Sequence, residues 1–138
     1  MLLRFAVENF KSFRDSTQFS MAAGKITRHG DHIAEICGKR ILKGGFLFGA
    51  NASGKSNLIQ AIEFACRIVK NGMKSVSFDK KYFRIDDEGK TRPGVFQFDL
   101  VSNGHFYSYG FAVSYTEATI EEEWLYEIGN REKCVFLR

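Results

Sequence analysis

The stretch Gly49-Ala50-Asn51-Ala52-Ser53-Gly54-Lys55-Ser56 decides how the rest of this chain is interpreted. It fits G-x-x-x-x-G-K-[ST], a loop whose glycines let several backbone N–H groups crowd around a phosphate. Residues 45–48 before it predict a short apolar strand, and the residues after it predict an amphipathic helix from about 54 to 70. Because a helix N-terminus adds partial positive charge, the segment predicts an anion site built largely from backbone.

The residue types in this loop assign roles to individual side chains. Lys55 is expected to reach the β- and γ-phosphates of a nucleoside triphosphate, where it is also the candidate catalytic residue. The Ser56 hydroxyl is the expected ligand of Mg²⁺. Hydrolysis does not follow from the pattern, because a loop that holds phosphates still needs a group that activates water. GTP is disfavoured, since no N-K-x-D motif occurs and residues 99–102 miss the D-x-x-G pattern.

Composition bounds the class of protein. The 138 residues suffice for one domain with a real core, and 44% hydrophobic against 26% charged residues is typical of a globular fold. A net charge of +4 permits nucleic acid as a partner without arguing for it, because the basic residues are scattered. The loosest clusters, interpreted as solvated surface, are Lys70, Lys74, Lys80, Lys81 and Arg84, and then Lys90 and Arg92.

Cysteine usage and the N-terminus indicate the compartment. Cys37, Cys66 and Cys134 are far apart and form no C-x-x-C pair, which fits a reducing environment. The charged Arg4 interrupts the apolar N-terminus before it is long enough for a signal peptide. No apolar run in the sequence is long enough to cross a membrane. We therefore expect a cytoplasmic protein without a membrane partner.

The first half of the chain predicts strands around the loop and its helix. Residues 2–8 alternate as a strand with residues 15–21 as its hairpin partner, residues 22–40 read as irregular, and residues 41–48 return to strand. The helix ends at Asn71 and Gly72. Its predicted apolar side consists of Leu58, Ile59, Ile62, Ala65, Cys66 and Val69.

The last third predicts an antiparallel meander. Residues 95–100, 105–114, 119–128 and 133–137 read as strands, with turns at 102–104 and at Gly129 and Asn130. A parallel sheet is excluded here, because it needs crossover helices. The fold class is thus α/β: a P-loop core followed by an antiparallel β-meander subdomain. We divide the single domain, residues 1–138, into residues 1–75 (strands, loop and helix) and 76–138 (β-subdomain).

Residues 2–13 resemble the opening of the SMC/RecF-like branch of ABC-type ATPases, in which a first strand ends in N-F-[KR]-S-[FY]. The loop resembles that branch's G-x-N-[GA]-[SA]-G-K-[ST]-[NT]-[LI], and Asn51 and Asn57 make the match specific. The tail resembles stand-alone prokaryotic ATPases of the AAA_15/AAA_21 and OLD-like groups, which often work in phage defence or beside nucleases. Sharp motifs are confined to the first 58 residues. The expected nucleotide-binding residues are Lys11, Ser12, Gly49, Asn51, Ala52, Ser53, Gly54, Lys55, Ser56 and Asn57.

The resemblance implies ATP and Mg²⁺ as cofactors and an ABC/SMC-type head in which two subunits clamp two ATP molecules. It implies Lys11 and Ser12 near the α-phosphate or adenine side, against the alternative of a surface turn. DNA repair or phage defence, with DNA or a nuclease or effector as partner, are possible settings. A complete head also needs a signature motif, a Walker B strand and a switch histidine. The chain therefore reads as an N-terminal lobe, inactive as an ATPase by itself.

Two segments are weak Walker B candidates: residues 82–88, which contain Asp86, and residues 95–100, which contain Asp99. The first has an arginine inside the strand, and the second lacks the following glutamate. His29, Asp31 and His32 are metal-ligand types in close order, but without further ligands a solvated loop is favoured. Glu121, Glu122 and Glu123 are interpreted as edge-strand charge.

Two other function classes remain open. The chain could be a non-hydrolysing interaction module whose aromatic β-sheet docks a partner chain. A small-molecule P-loop kinase is disfavoured, because it requires lid arginines and βαβ units that the sequence does not show.

Overall fold

The computed structural model describes residues 1–25, 28–129 and 131–138. Within these residues the chain forms one long helix, two single-turn 3₁₀ helices at Gly30–His32 and Met73–Ser75, and eight strands. The helix and strands are β1 Leu2–Glu8, β2 Thr17–Ser20, β3 Ile33–Ile36, β4 Lys39–Leu42, α1 Lys55–Asn71, β5 Gly94–Ser102, β6 His105–Ser114, β7 Thr119–Ile128 and β8 Glu132–Leu137.

Six strands form one antiparallel sheet in the order β2-β1-β5-β6-β7-β8. The predicted β1–β2 hairpin and the predicted meander are both confirmed. The strand β1 also pairs with β5, where Phe5 lies opposite Phe98 and Val7 opposite Phe96. The N-terminal part of the chain and the predicted β-subdomain therefore contribute to the same sheet, while β3 and β4 form a separate hairpin.

The helix α1 packs on one face of this sheet through aromatic side chains. The ring of Phe64 lies 5.3 Å from that of Phe10 and 5.4 Å from that of Phe96, centroid to centroid. Phe96 stacks in turn on Phe111 at 5.4 Å. Such ring pairs stabilise a core beyond the area that they bury. Within the described residues, no helix is long and apolar enough to cross a membrane.

The predicted bounds of α1 are confirmed, but its predicted buried face is partly wrong. Ile59 and Val69 are 58% and 51% exposed. The residues of α1 that are buried are Leu58, Ala61, Phe64, Ala65 and Ile68. The helix carries two apolar stripes, and the stripe containing the large Phe64 ring faces the sheet because it buries more apolar area.

The predicted strand at residues 45–48 is wrong. These residues adopt no strand, and the side chains of Phe46 and Phe48 are 90% and 89% exposed. An apolar segment becomes a strand only where a neighbouring strand takes its hydrogen bonds, and no described strand pairs with it. Residues 22–40, for which the sequence predicts loops and short pieces, contain the four-residue strand β3 and the start of β4.

The interpretation of Glu123 as edge charge is wrong as well. Its strand, β7, lies between β6 and β8, and Glu123 is buried. Its carboxylate accepts hydrogen bonds from the Tyr109 hydroxyl (2.7 Å) and from Arg138 Nε (2.6 Å). At the next turn, Asn130 lies outside the described residues.

Asn9, at the end of β1, is fully buried and joins distant segments. Its side-chain amide donates to the carbonyl oxygens of Gly89 and Arg92, both at 2.8 Å. Its side-chain oxygen accepts from the N–H of Phe83 (3.0 Å), and its backbone carbonyl accepts from the Tyr115 hydroxyl (2.6 Å). A Cβ on Gly89 would lie 1.8 Å from the backbone oxygen of Phe83, so the close contact between these two segments requires glycine at position 89. These bonds fix the segment 83–92 beside the end of β1.

We predict that Tyr115→Phe lowers the free energy of unfolding by about 1–2 kcal/mol at pH 7, because the Asn9 carbonyl loses a buried donor. Burial raises the pKa of Tyr115 above its usual value. The stability that this shift contributes is fully present below pH ~10 and is lost as the pH rises towards the folded-state pKa. The wild type should therefore lose stability above pH ~10 more steeply than the variant in urea titrations.

Tyr107→Phe is the matched control, since no hydrogen bond from the Tyr107 hydroxyl occurs within residues 1–25, 28–129 and 131–138. Burial and the Glu123 contact also raise the pKa of Tyr109, so some alkaline loss should persist in Tyr115→Phe. Equal alkaline slopes for the wild type and Tyr115→Phe would contradict the assignment.

Candidate functional site

The loop before α1 has the backbone shape of an anion-binding nest. Ala52 and Gly54 both have positive φ, +63° and +88°, with Ser53 between them outside that region. Alternation of left- and right-handed residues turns successive N–H groups to one side. A left-handed alanine is strained, and such strain is concentrated at binding sites. The Gly54 carbonyl accepts from the N–H of Leu58 (3.0 Å), so the loop leads directly into the first turn of α1.

Both glycines of the motif lie where a side chain would collide. A Cβ on Gly49 would lie 2.8 Å from Ser53 Oγ, and a Cβ on Gly54 would lie 3.2 Å from Ser12 Oγ. The loop thus folds tightly on itself and against the N-terminal turn. At Gly54 the positive φ disfavours other residues, and at Gly49 an added Cβ would require the Ser53 hydroxyl to move.

Lys55 folds back over the loop. Its ammonium donates to the carbonyl oxygens of Gly49 (2.8 Å) and Ala50 (2.6 Å) and to Ser53 Oγ (3.2 Å). The cation is therefore held in the loop by three neutral oxygens. An anion in the loop would offer the same ammonium stronger, charge-assisted hydrogen bonds.

The predicted residues of the loop differ in exposure. Lys55, Gly54 and Asn57 are half-buried. The exposed ones are Gly49, Asn51, Ala52, Ser53 and Ser56. The Ser56 hydroxyl lies in the first turn of α1 and is exposed to solvent. A metal beside a phosphate in the loop would therefore approach it from the solvent side.

The N-terminal turn is tight and brings Lys11 and Ser12 to the helix. Phe10 and Phe13 exchange backbone hydrogen bonds of 2.9 and 2.8 Å, and Lys11 has a φ of +50°. The Ser12 hydroxyl oxygen accepts from the side-chain amide of Asn57 at 2.9 Å. The structure thus brings together Ser12, Asn57 and the loop.

The sequence prediction missed Gln60. The Lys11 ammonium donates to the side-chain oxygen of Gln60, one turn of α1 beyond Asn57. Residues three apart on a helix share a face, so the spacing of Asn57 and Gln60 was the signal that could have identified it.

Neither Walker B candidate has the predicted context. Residues 82–88 form no strand, and the Asp86 carboxylate pairs with Arg14 at 2.8 Å. Asp99 lies inside the antiparallel strand β5, where its carboxylate accepts from Arg4 (2.6 Å) and Ser108 (2.9 Å). Both carboxylates therefore already have partners, although one oxygen of Asp86 is buried without a hydrogen bond within the described residues.

The three predicted metal-ligand types do come together. The ligand atoms of His29, Asp31 and His32 lie within 4.8 Å of one another, and all three residues are exposed. No fourth ligand joins them among the described parts of the chain. This loop stays a solvated cluster.

The loop residues fit a phosphate with its metal. The nest supplies backbone donors, the Lys55 ammonium lies over them, and a serine hydroxyl follows at once. Hard cations such as Mg²⁺ prefer oxygen ligands of this kind and keep several waters.

We predict that Gly54→Ala destabilises the fold by about 1–2 kcal/mol or more, because a left-handed alanine carries that cost before its Cβ meets Ser12. The control is Gly44→Ala, where nothing lies within 4 Å of an added Cβ and φ is outside the left-handed region. Urea unfolding of both variants measures the difference, and equal midpoints would contradict the steric account.

A family model matches residues 46–138, which is more than half of the chain. The family is AAA_21, described as AAA domain, putative AbiEii toxin, Type IV TA system. The matched range holds the loop, α1 and the strands β5 to β8. A comparison with curated proteins found no match.

Proposed function

Because the chain belongs to the AAA_21 family of AAA domains, we propose that it binds Mg-ATP in the loop 49–56 as part of an ATP-dependent switch of the SMC/RecF-like type. The family implies nucleotide binding and an ATPase-like function in general. The specific site, the metal and the type of switch are the content of the proposal.

The position of Lys55 is the observation that carries it. The ammonium lies over a strained nest and contacts only neutral oxygens within the described residues. Phosphate oxygens arriving in the nest would replace the Gly49 and Ala50 carbonyls with charged acceptors. The exchange favours an anion because charge-assisted bonds are about twice as strong as neutral ones.

The N-terminal turn supports a nucleotide over a simple phosphate. Ser12 and Lys11 extend the row of polar groups from Gly54 along the first two turns of α1, through Asn57 and Gln60. When bound, Mg²⁺ would neutralise negative charge on the phosphates. The Ser56 hydroxyl is the residue of this chain that would hold it.

Hydrolysis needs groups that the described residues do not place beside the loop. Both Walker B candidates are engaged elsewhere, so we expect this chain to bind ATP with little turnover by itself.

Large apolar side chains are exposed near the loop and on α1, namely Phe46, Phe48, Ile59 and Val69. Exposed apolar surface of this size favours a further polypeptide over it. A homodimer of such heads, acting with DNA or a nuclease or effector in DNA repair or phage defence, is the setting that we propose.

A second candidate function has an observation of its own. The sheet carries a cavity of about 340 Å³ with aromatic walls, Phe106, Trp124 and Tyr126, and a charged floor of Arg4 and Asp99. Such a surface suits an interaction module that docks a partner chain. The two functions differ in whether the 138-residue chain binds nucleotide.

We predict that Lys55→Ala reduces the binding of a labelled, non-hydrolysable ATP analogue at least a hundredfold, because it removes the cation at the centre of the loop. Lys70→Ala, in the last turn of the same helix, is the charge-matched control and should bind like the wild type. Calorimetric titration measures both. Undiminished binding by Lys55→Ala would sink the proposal, and no binding by the wild type would favour the interaction module.

A further inference from the structure

A second basic group, Lys81 and Arg84, lies next to the N-terminal turn. The N–H of Lys11 donates to the carbonyl oxygen of Lys81 at 2.7 Å. Two residues later, the N–H of Phe83 donates to Asn9 at 3.0 Å. Hydrogen bonds on both sides of the turn therefore fix residues 81–83 beside Lys11, and Arg84 follows directly.

The charges in this group are unbalanced. Burial lowers the pKa of the Lys11 ammonium, and the nearby charges of Lys81 and Arg84 lower it further. Within residues 1–25, 28–129 and 131–138, no carboxylate forms an ion pair with any of the three. By contrast, the neighbouring Arg14 forms an ion pair with Asp86. Three like charges held together without a counter-charge favour an anion among them.

This basic group lies further along α1 than the loop 49–56. Lys11 contacts Gln60, which follows Lys55 by five residues, or about 7.5 Å along the helix at 1.5 Å per residue. A ligand that reaches from the loop to Lys11 must therefore span about 7.5 Å. The outermost phosphates and the nucleoside of one nucleotide lie about that far apart.

A cleft begins at the same place. It measures about 430 Å³ and lies between α1 and the segment 75–81. Its lining is mixed, with the apolar Phe64 and Val76 beside polar or charged residues, which are Gln60, Glu63, Arg67, Ser75, Ser77 and Lys81. A nucleoside has apolar ring faces and polar edges, so a cleft lined by both kinds of side chain suits it.

We propose that Lys81 and Arg84, together with Lys11, bind the α-phosphate and nucleoside end of the nucleotide whose outer phosphates lie in the loop 49–56, with the nucleoside in the cleft beside α1. This rests on the proposed function. It assigns Lys81 and Arg84, which the sequence analysis interpreted only as solvated surface, as ligand-binding residues.

The test compares Mg-ATP with inorganic pyrophosphate, which matches the two outer phosphates and has neither the α-phosphate nor the nucleoside. Lys81→Ala and Arg84→Ala should each weaken ATP about tenfold, the factor for losing one charge-assisted contact, and change pyrophosphate less than about twofold. Lys55→Ala should weaken both ligands. Lys90→Ala, a similar exposed cation in the same loop, should change neither. Lys81→Arg, which keeps the charge, should restore most of the ATP affinity.

Other results would overturn the inference. An equal loss of affinity for both ligands would show that the group attracts anions in general. Unchanged affinity for both would show that the group lies outside the nucleotide site. Reduced binding of a single-stranded DNA oligonucleotide with unchanged ATP binding would assign it to nucleic acid. If the wild type binds neither ATP nor inorganic pyrophosphate, the proposed function fails first. Thermal unfolding of each variant confirms the fold, which should hold because the Lys81 hydrogen bond uses its backbone.

Discussion

The buried side chain of Asn9 holds together two parts of the chain that lie 80 positions apart. An amide without partners in the core would cost several kcal/mol, so its donors and acceptor constrain everything around them. They fix the segment 83–92 on one side and the turn of residues 10–13 on the other. Because this turn presents Lys11 and Ser12 to α1, the same buried amide determines the geometry of the site.

The loop 49–56 shows how the shape of a site is held before a ligand arrives. Ala52 and Gly54 are in left-handed conformations, and Ser12 closes against Gly54 from outside. The Lys55 ammonium contributes three hydrogen bonds that stabilise this arrangement from within. A ligand bound as proposed would exchange partners at a preformed loop and would not need to build it, which would reduce the ordering entropy that binding must overcome.

Local patterns predicted the elements well, and non-local pairing explains what they missed. The bounds of α1 and the strands β5 to β8 follow from periodicity and turn residues, which act over a few positions. The pairing of β1 with β5 depends on residues far apart, as does the choice between the two apolar stripes of α1. Residues 45–48 carry a strand pattern, yet a strand also needs a neighbour. The glycine-rich loop was predictable because its chemistry is local, and the helical spacing of Gln60 was a local signal too. Lys81 and Arg84 come beside Lys11 only through hydrogen bonds between distant parts of the chain.

Amide NMR shifts on addition of Mg-ATP test the central claim most directly, because they report every backbone N–H at once. If the loop and the N-terminal turn form one nucleotide site, the largest shifts should occur at residues 50–57, with further large shifts at Lys11, Ser12 and Lys81. The strands β6 to β8 should change little. Shifts confined to the aromatic cavity around Trp124, or none at all, would contradict the account.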